Sequence, residues 1–362
     1  MSETTRAYLT TSRLADGREI IYFDRQPRAE PPPPDPRDLP GTPAGSQLRY
    51  DVMADEWVTV ASHRQDRTHQ PHPDHCPLCP SSPGHRTEVP APRYEVVVLE
   101  NRFPSYGGTG DGPDAGNGTP WRTRPGKGRC EVVCFSDDHD AAFADLAPGH
   151  TRTVVEAWAH RTEALAAMDG VAYVYVFENR GAEIGVTLAH PHGQIYGYPF
   201  VPPVARRRRS ALARHRESTG RCLVCDLSAA EASGGRRVVA ATGRWLAHVP
   251  FAARWPFHVL VVPRRHVEAL PALDGDERQE FCDLYLEVLR ALDGAFGLRM
   301  PYVAGWHQGP GDHLTMEVFS TRRAPDKLKY LAASESGQGA WINDVVPEEA
   351  ADMLRRAVRA AR

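Results

Sequence analysis

The chain of 362 residues has no apolar run near the ~18 residues that span a bilayer, and its opening stretch, Met1 to Tyr8, contains no apolar leader segment. Seven cysteines are too sparse over this length for a secreted disulfide scaffold. An excess of charge of one sign is missing as well. Forty-three Lys+Arg stand against 46 Asp+Glu, a formal charge of −3, so there is no bulk pull toward nucleic acid or membrane. No G-x-G-x-x-G or P-loop string sits at a strand–helix turn, which excludes a conventional dinucleotide or Walker phosphate cradle. With 41% hydrophobic residues, the expectation is a soluble cytoplasmic globular protein with reduced thiols and neither nucleic acid nor membrane as partner.

Proline and glycine are unevenly spread. The run Pro31-Pro-Pro-Pro-Asp-Pro36 predicts an extended linker between Pro27 and Pro43 with no packed core. A second loop-like tract runs from Tyr106 to Gly128. Arg206 to Arg209 open a polar helix to about Thr219, read as a solvated face or linker. Strand-like runs fall at 95–99, 129–135, 171–178, 190–198, 237–242, 257–262, 301–306 and 314–320, and helical patterning at about 149–168, 276–296 and 347–361. Several strands follow one another with only a loop between, which predicts an α+β fold: a mostly antiparallel sheet flanked by helices.

The two halves of the chain repeat one order of features. Cys76-Pro-Leu-Cys79, a strand, His139, a helix, a second strand, and then His190 and His192 are followed by Cys222-Leu-Val-Cys225, a strand, His266, a helix, a strand and His313. This predicts an ancient duplication. The domains expected are an arm and linker at 1–45, a first half at 46–203, a basic linker helix at 204–220 and a second half at 221–362.

Each Cys-x-x-Cys, read as a hairpin turn, offers two soft thiolates, half of a tetrahedral zinc set. Taken alone, such a pair can equally be two buried cysteines or a redox couple. With the histidines that follow, a first zinc site is expected at Cys76, Cys79, His139 and His190, with His75 as the substitute ligand should His139 fail. By register a second is expected at Cys222, Cys225, His266 and His313. Cys130, Cys134 and Cys282 lie in apolar patterns and read as small core residues.

The most specific string is His190-Pro-His192-Gly-Gln194. On an extended segment residues two apart face the same way. His190 can hold metal while His192 projects into a cleft on a rigid mounting, and a neutral imidazole nitrogen is a competent nucleophile toward phosphorus near pH 7. Gln194 can hydrogen-bond a phosphoryl oxygen but cannot carry a proton.

This string, preceded by Phe177-Glu-Asn-Arg-Gly181 and Gly185-Val-Thr187, closely resembles the galactose-1-phosphate uridylyltransferase family, a branch of the histidine-triad superfamily. The likeness runs from Trp57-Val-Thr-Val-Ala-Ser-His-Arg64 through Cys76 to Cys79, Glu100-Asn-Arg-Phe103 and Cys134-Phe-Ser-Asp-Asp-His139 to Trp255-Pro-Phe257, Gly305-Trp-His307 and Lys329-Tyr330. The resemblance implies two tandem histidine-triad-like halves and a double displacement through uridylyl-His192. UDP-glucose, UDP-galactose and hexose 1-phosphates would be the substrates. It implies that Arg64 and Arg67 contact phosphate and that Asn101 and Phe103 line a uridine pocket. Asn179, Gly185, Val186 and Thr187 would line the phosphates and hexose, and Lys329, Tyr330 and Glu335 would contact hexose across a homodimer.

The chain departs from the family in several respects, and the residues near Glu335 do not follow its sugar-contacting pattern. A second metal site of a glutamate and histidines is not expected, since Arg206 to Arg209 take the glutamate's place and Thr315 and Glu317 two of the histidines', with His307 retained. Cys222 and Cys225 are instead similar to a related branch with two zinc sites, a phosphorylase of ADP-glucose, which stands as the alternative activity. A non-catalytic zinc-stabilised nucleotide or nucleic-acid module is the remaining one. The near-neutral charge and the lack of a basic stripe argue against it.

Overall fold

A computed structural model describes residues 7–41, 45–107 and 120–361, so positions 108–119 of the glycine-rich tract lie outside the described residues. The chain divides into two compact units. The first is drawn from Met1–Ala141, Thr153–Val176 and Thr187–Arg207, and the second from Ala142–Arg152, Phe177–Val186 and Arg208–Arg362.

In the first unit, strands β1 (Tyr8–Arg13), β2 (Glu19–Asp24), β5 (Val96–Glu100), β7 (Arg129–Cys134) and β9 (His192–Tyr198) lie side by side in the order β1-β2-β5-β7-β9, each pair antiparallel. β3 (Gln47–Asp51), β4 (Glu56–Val60) and β6 (Thr123–Pro125) form a small separate sheet. The run Val96-Val-Val-Leu99 is buried on both faces, as β-branched residues favour in a central strand. Helix α1 (Pro148–Ala166) buries Val154, Val155 and Trp158, and its Arg161 forms a two-pronged pair with the buried Glu131 of β7 at 2.9 and 2.6 Å.

The N-terminal arm is part of this core. Leu14, Ile20 and Tyr22 pack in one cluster with Cys76, Leu78, Val97, Leu99 and Cys134. Of the segment 27–43, the described residues carry no regular secondary structure, as its prolines require. Yet Asp35 and Arg37 pair with each other, and Arg37 reaches Glu88 at 2.7 Å.

β8 (Tyr173–Arg180) is divided between the units, and α2 (Pro203–Thr219) begins in the first. The arginine run at its start is not merely solvated, since Arg206 pairs with Asp55 and Arg209 with Asp312. The second unit adds α3 (Leu223–Gly234), β10 (Val238–Ala241), β11 (Trp245–His248), β12 (Phe257–Pro263), α4 (Gly275–Phe296), β13 (Tyr302–His307), β14 (Thr315–Ser320), β15 (Arg322–Ala324), β16 (Lys327–Leu328), α5 (Ala333–Gln338) and α6 (Pro347–Ala361). Its main strands run β8-β13-β14-β12-β11-β10, with every printed pair antiparallel. α4 starts at a capping box in which Asp274 accepts from the Glu277 amide and Glu277 from that of Asp274, and it stops at Gly297 with φ +67°. The fold is α+β and mostly antiparallel, as the succession of strands implies.

The central strands of the two units repeat one order. Across β5-β7-β9, Leu99 faces Val132 and Val132 faces Gln194; across β11-β12-β14, His248 faces Leu260 and Leu260 faces Glu317. β8 and β13 come next in the respective orders. His192 and Thr315, each two residues earlier, are therefore equivalent positions, and each opens its strand.

Candidate active site and metal centres

Cys76 closes a short 3-10 turn, Pro73–His75, and Cys79 follows one loop later. His139 lies beyond β7, and His190 lies two residues before β9. Together the ligand atoms of Cys76, Cys79, His139 and His190 lie within 4.8 Å of one another. Cys79 Sγ is 3.4 Å from His139 Nδ1 and 3.6 Å from His190 Nδ1. The other ring nitrogen of His190, Nε2, donates to the Ser136 carbonyl at 2.8 Å and touches the Tyr94 hydroxyl at 2.7 Å. That bond leaves Nδ1 as the lone-pair nitrogen aimed at the thiols. His75 stays outside this set, its ring against His72 and His85.

Cys222, Cys225, His266 and His313 form the second set, again with ligand atoms within 4.8 Å. His313 Nδ1 lies 3.5 Å from Cys222 Sγ and 3.4 Å from Cys225 Sγ, and its Nε2 donates to the Pro263 carbonyl at 3.1 Å. Ser136 and Pro263 each precede the first histidine of their set by three residues, so the bond that orients the second histidine is repeated too. One expectation is corrected here: Cys222 and Cys225 are not on a hairpin turn. Cys222 caps α3 and Cys225 lies in its first turn, where unpaired backbone amides favour thiolates.

Both sets fit a metal ion. Burial and the adjoining Cys76 sulfur push Cys79 up to about 12, and burial and Cys222 push Cys225 up to about 11. Paired thiolates at these places call for a cation between them. Burial takes His190 down to about 3 and His313 to about 4, so both rings are neutral, as ligands must be. Among the described residues these are the two groups of three or more such side chains able to hold a metal. His307 pairs instead with Glu317, whose other oxygen lies 2.8 Å from His258 Nε2. Although burial works to raise it, these two histidines hold the Glu317 carboxyl well below its usual range.

His192 opens β9 beside the first cluster. Its Nδ1 donates to the His190 carbonyl at 2.7 Å, which leaves Nε2 unprotonated. The ring borders a cleft of about 250 Å³ in the first unit, together with Arg64, Arg67, Asn101, Phe103, Thr187 and Gln194. Seven residues singled out from the sequence thus converge. Arg64 donates to the Phe103 carbonyl at 2.7 Å, and the Asn101 side chain accepts from the Phe103 amide at 2.8 Å, so each shapes the same loop.

The remaining candidates, Asn179, Gly185, Val186, Lys329, Tyr330 and Glu335, belong to the second unit. There Asn179 sits on β8 opposite Val303, and Gly185 takes φ +81° at the end of a 3-10 turn. Lys329 and Glu335 form a buried pair at 2.8 Å, while Tyr330 is 75% exposed.

Sequence reasoning missed Arg18, Glu88 and Arg102, which also line the cleft. Arg18 is fully buried, bonded to Asp16, Glu88 and the Glu100 carbonyl. Glu88 in turn pairs with Arg37 and donates its amide to the Pro77 carbonyl within the metal loop. Nothing local in the arm signals this.

Family models describing the N-terminal and C-terminal domains of galactose-1-phosphate uridyl transferase match residues 41–202 and 208–321. A galactose-1-phosphate uridylyltransferase of Streptomyces lividans is 41% identical, covering 96% of this chain and 97% of its own length. One from Thermotoga maritima is 37% identical over 85% of this chain and 98% of its own. A solved uridylyltransferase structure, 30% identical, superposes with a TM-score of 0.77 over 87% of this chain and 99% of that one. An ADP-glucose phosphorylase from Arabidopsis thaliana shares the fold, with a TM-score of 0.66 at 24% identity over 85% of this chain and 98% of its own. No helix among the described residues is long and apolar enough to cross a membrane. Its sequence and its fold alike place this chain in the galactose-1-phosphate uridylyltransferase family.

Proposed function

We propose that this chain exchanges a uridylyl group between UDP-glucose and galactose 1-phosphate through a covalent intermediate on His192. One observation carries the reading: the Nδ1–H bond from His192 to the His190 carbonyl presents Nε2 as a lone pair at the rim of the cleft. In the first step Nε2 forms a bond to the α-phosphorus. The bond from that phosphorus to the bridging oxygen breaks, and its electron pair leaves with glucose 1-phosphate. In the second, a phosphate oxygen of galactose 1-phosphate attacks the same phosphorus and the pair returns to Nε2, giving UDP-galactose.

Both leaving and entering groups are phosphate monoesters with a second pKa of about 6, so neither step needs a strong general acid or base. Gln194, on the same face of β9, donates to a charged phosphoryl oxygen; Arg64 and Arg67 offset charge on the two phosphates. Asn101 and Phe103 would hold uridine. Asn179, Gly185, Val186 and Thr187 would line the phosphates and hexose, with Lys329, Tyr330 and Glu335 supplied across a homodimer. Zinc is the ion that suits two thiolates and two imidazoles; Cys76, Cys79, His139 and His190 would hold one, and Cys222, Cys225, His266 and His313 another. Its part at the first site is to pin the segment that carries His192. The two halves, 46–203 and 221–362, would then be duplicates of which only the first keeps a nucleophile, in a cytoplasmic enzyme.

The test is intact-mass spectrometry after mixing with UDP-glucose, without acceptor. One UMP residue should add to the wild-type chain and none to His192→Gly. An adduct that survives that substitution overturns the assignment. The second Cys/His set favours a second reading, phosphorolysis of ADP-glucose, which the same experiment with ADP-glucose and inorganic phosphate decides.

A further inference from the structure

The second unit contains a cavity of about 390 Å³ whose walls are mostly apolar. Part of its lining falls at the register positions of the first unit's cleft, and α2 and α3 supply the rest. The inner pair of the Cys-x-x-Cys, Pro77 and Leu78, becomes Leu223 and Val224; Leu99 becomes His248; Val132 becomes Leu260; His192 becomes Thr315. The loop after the strand, Asn101 to Phe103 in the first cleft, is Pro250 to Ala252 in the second, and all three residues line the cavity in both. A side-chain bond is repeated as well. Thr315 Oγ1 donates to the His313 carbonyl at 3.0 Å, as His192 Nδ1 does to that of His190. The mounting is kept while the imidazole is gone.

We propose that this cavity binds a neutral nucleoside or free nucleobase and performs no chemistry on it. The nucleotide class of the ligand rests on the function proposed for the first cleft; the existence of the cavity does not. Substitution has removed what a phosphate would need. The nucleophile is a threonine, the Gln194 amide is replaced by the carboxylate of Glu317, and Asn101 and Arg102 give way to Pro250 and Phe251. Glu231 faces the cavity already paired with Arg237 at 2.7 Å, and Arg208 is the single arginine of its lining, where the first cleft has Arg18, Arg64, Arg67 and Arg102. What is left suits a flat uncharged ring: Val224, Leu260 and the 76% exposed Phe251 as apolar walls, with two polar groups at hand. His248 is 4% exposed, and the Ser228 hydroxyl is buried without a hydrogen-bond partner. An unmatched buried hydroxyl is a cost that a base edge entering the cavity would relieve.

The probe is 5-azidouridine, a neutral nucleoside, photolysed with the full-length protein while excess UDP-glucose fills the first cleft. Peptide mapping is expected to place label on Leu223–Ser228 or Pro250–Ala252. Ser228→Trp and Ala211→Trp, which fill the cavity from its helices, are each expected to lower that label about tenfold while uridylyl exchange stays unchanged. No label on Leu223–Ser228 or Pro250–Ala252 while UDP-glucose keeps Asn101–Phe103 and His192–Gln194 unlabelled, or second-site label undiminished in both variants, overturns the proposal and leaves the first-cleft reading standing. If UDP-glucose fails to protect the first cleft while Pro250–Ala252 is still labelled, the reading of the first cleft fails and the second site is upheld as a nucleoside site.

Discussion

Glu178 on β8 is 5% exposed, with the Tyr302 hydroxyl at 2.6 Å and that of Tyr285 at 3.4 Å. Burial raises its pKa from 4.5 to about 7, against the opposing pull of the Tyr302 hydrogen bond and Arg180. A raised value means that the folded chain holds this proton more tightly than the unfolded chain does. The stability it supplies is complete below pH 4.5, falls as the pH climbs toward 7, and is gone above it. At about 1.4 kcal/mol per tenfold change in proton affinity, the interval amounts to on the order of 3 kcal/mol. Glu178→Gln keeps the shape and removes the titration. Urea unfolding followed by tryptophan fluorescence between pH 5 and pH 8 should show the wild type losing roughly that much relative to Glu178→Gln across the range. Two profiles that stay parallel would refute the reasoning.

Metal analysis should find two equivalents per chain; Cys76→Ser should lose one together with uridylyl exchange, and Cys222→Ser the other with exchange retained but a lower Tm. Arg18→Met leaves the Glu100 carbonyl unpaired and Glu88 with Arg37 as its remaining close partner, so it should destabilise by about 2 kcal/mol and raise KM for UDP-glucose more than it lowers kcat, with Arg18→Lys restoring part of both. Steady-state kinetics beside thermal melts check this, and an unchanged KM would reduce Arg18 to a structural role. Gly128 has φ +153°, and a Cβ there would meet the Gly197 carbonyl at 2.4 Å, so Gly128→Ala should lower stability by roughly 2 kcal/mol or more in the same melts.

Much of the first site was legible because its chemistry is written locally. Two cysteines three residues apart, or two histidines flanking a proline, are held close by the covalent chain itself whatever the fold does around them. The hydrophobic patterns of α4 and α6 were legible for the same reason: a run of 15 or 22 residues repeats its signal over several turns. α3 was not, since its 12 residues carry little amphipathic contrast and its opening Cys-x-x-Cys reads equally as a turn. The arm was missed differently. Its strands are short, and the partner that makes β2 a core strand is β5, more than 70 residues away.

What the sequence determined by itself, then, is the inventory: eight metal-type side chains in two ordered sets, the histidine proposed as nucleophile, and an amide in place of a third histidine. Tertiary structure decided which groups meet. It placed Arg18 from the arm against Glu88 and the strand before Asn101, and it turned His192 so that one nitrogen is spent on a carbonyl and the other is left over. It also placed a second cavity in the other unit, with Thr315 at the register position of His192. The reason is energetic. Residue chemistry is a property of each position, whereas pairing, burial and tautomer depend on contacts summed over segments far apart in the chain, and no local stretch encodes that sum.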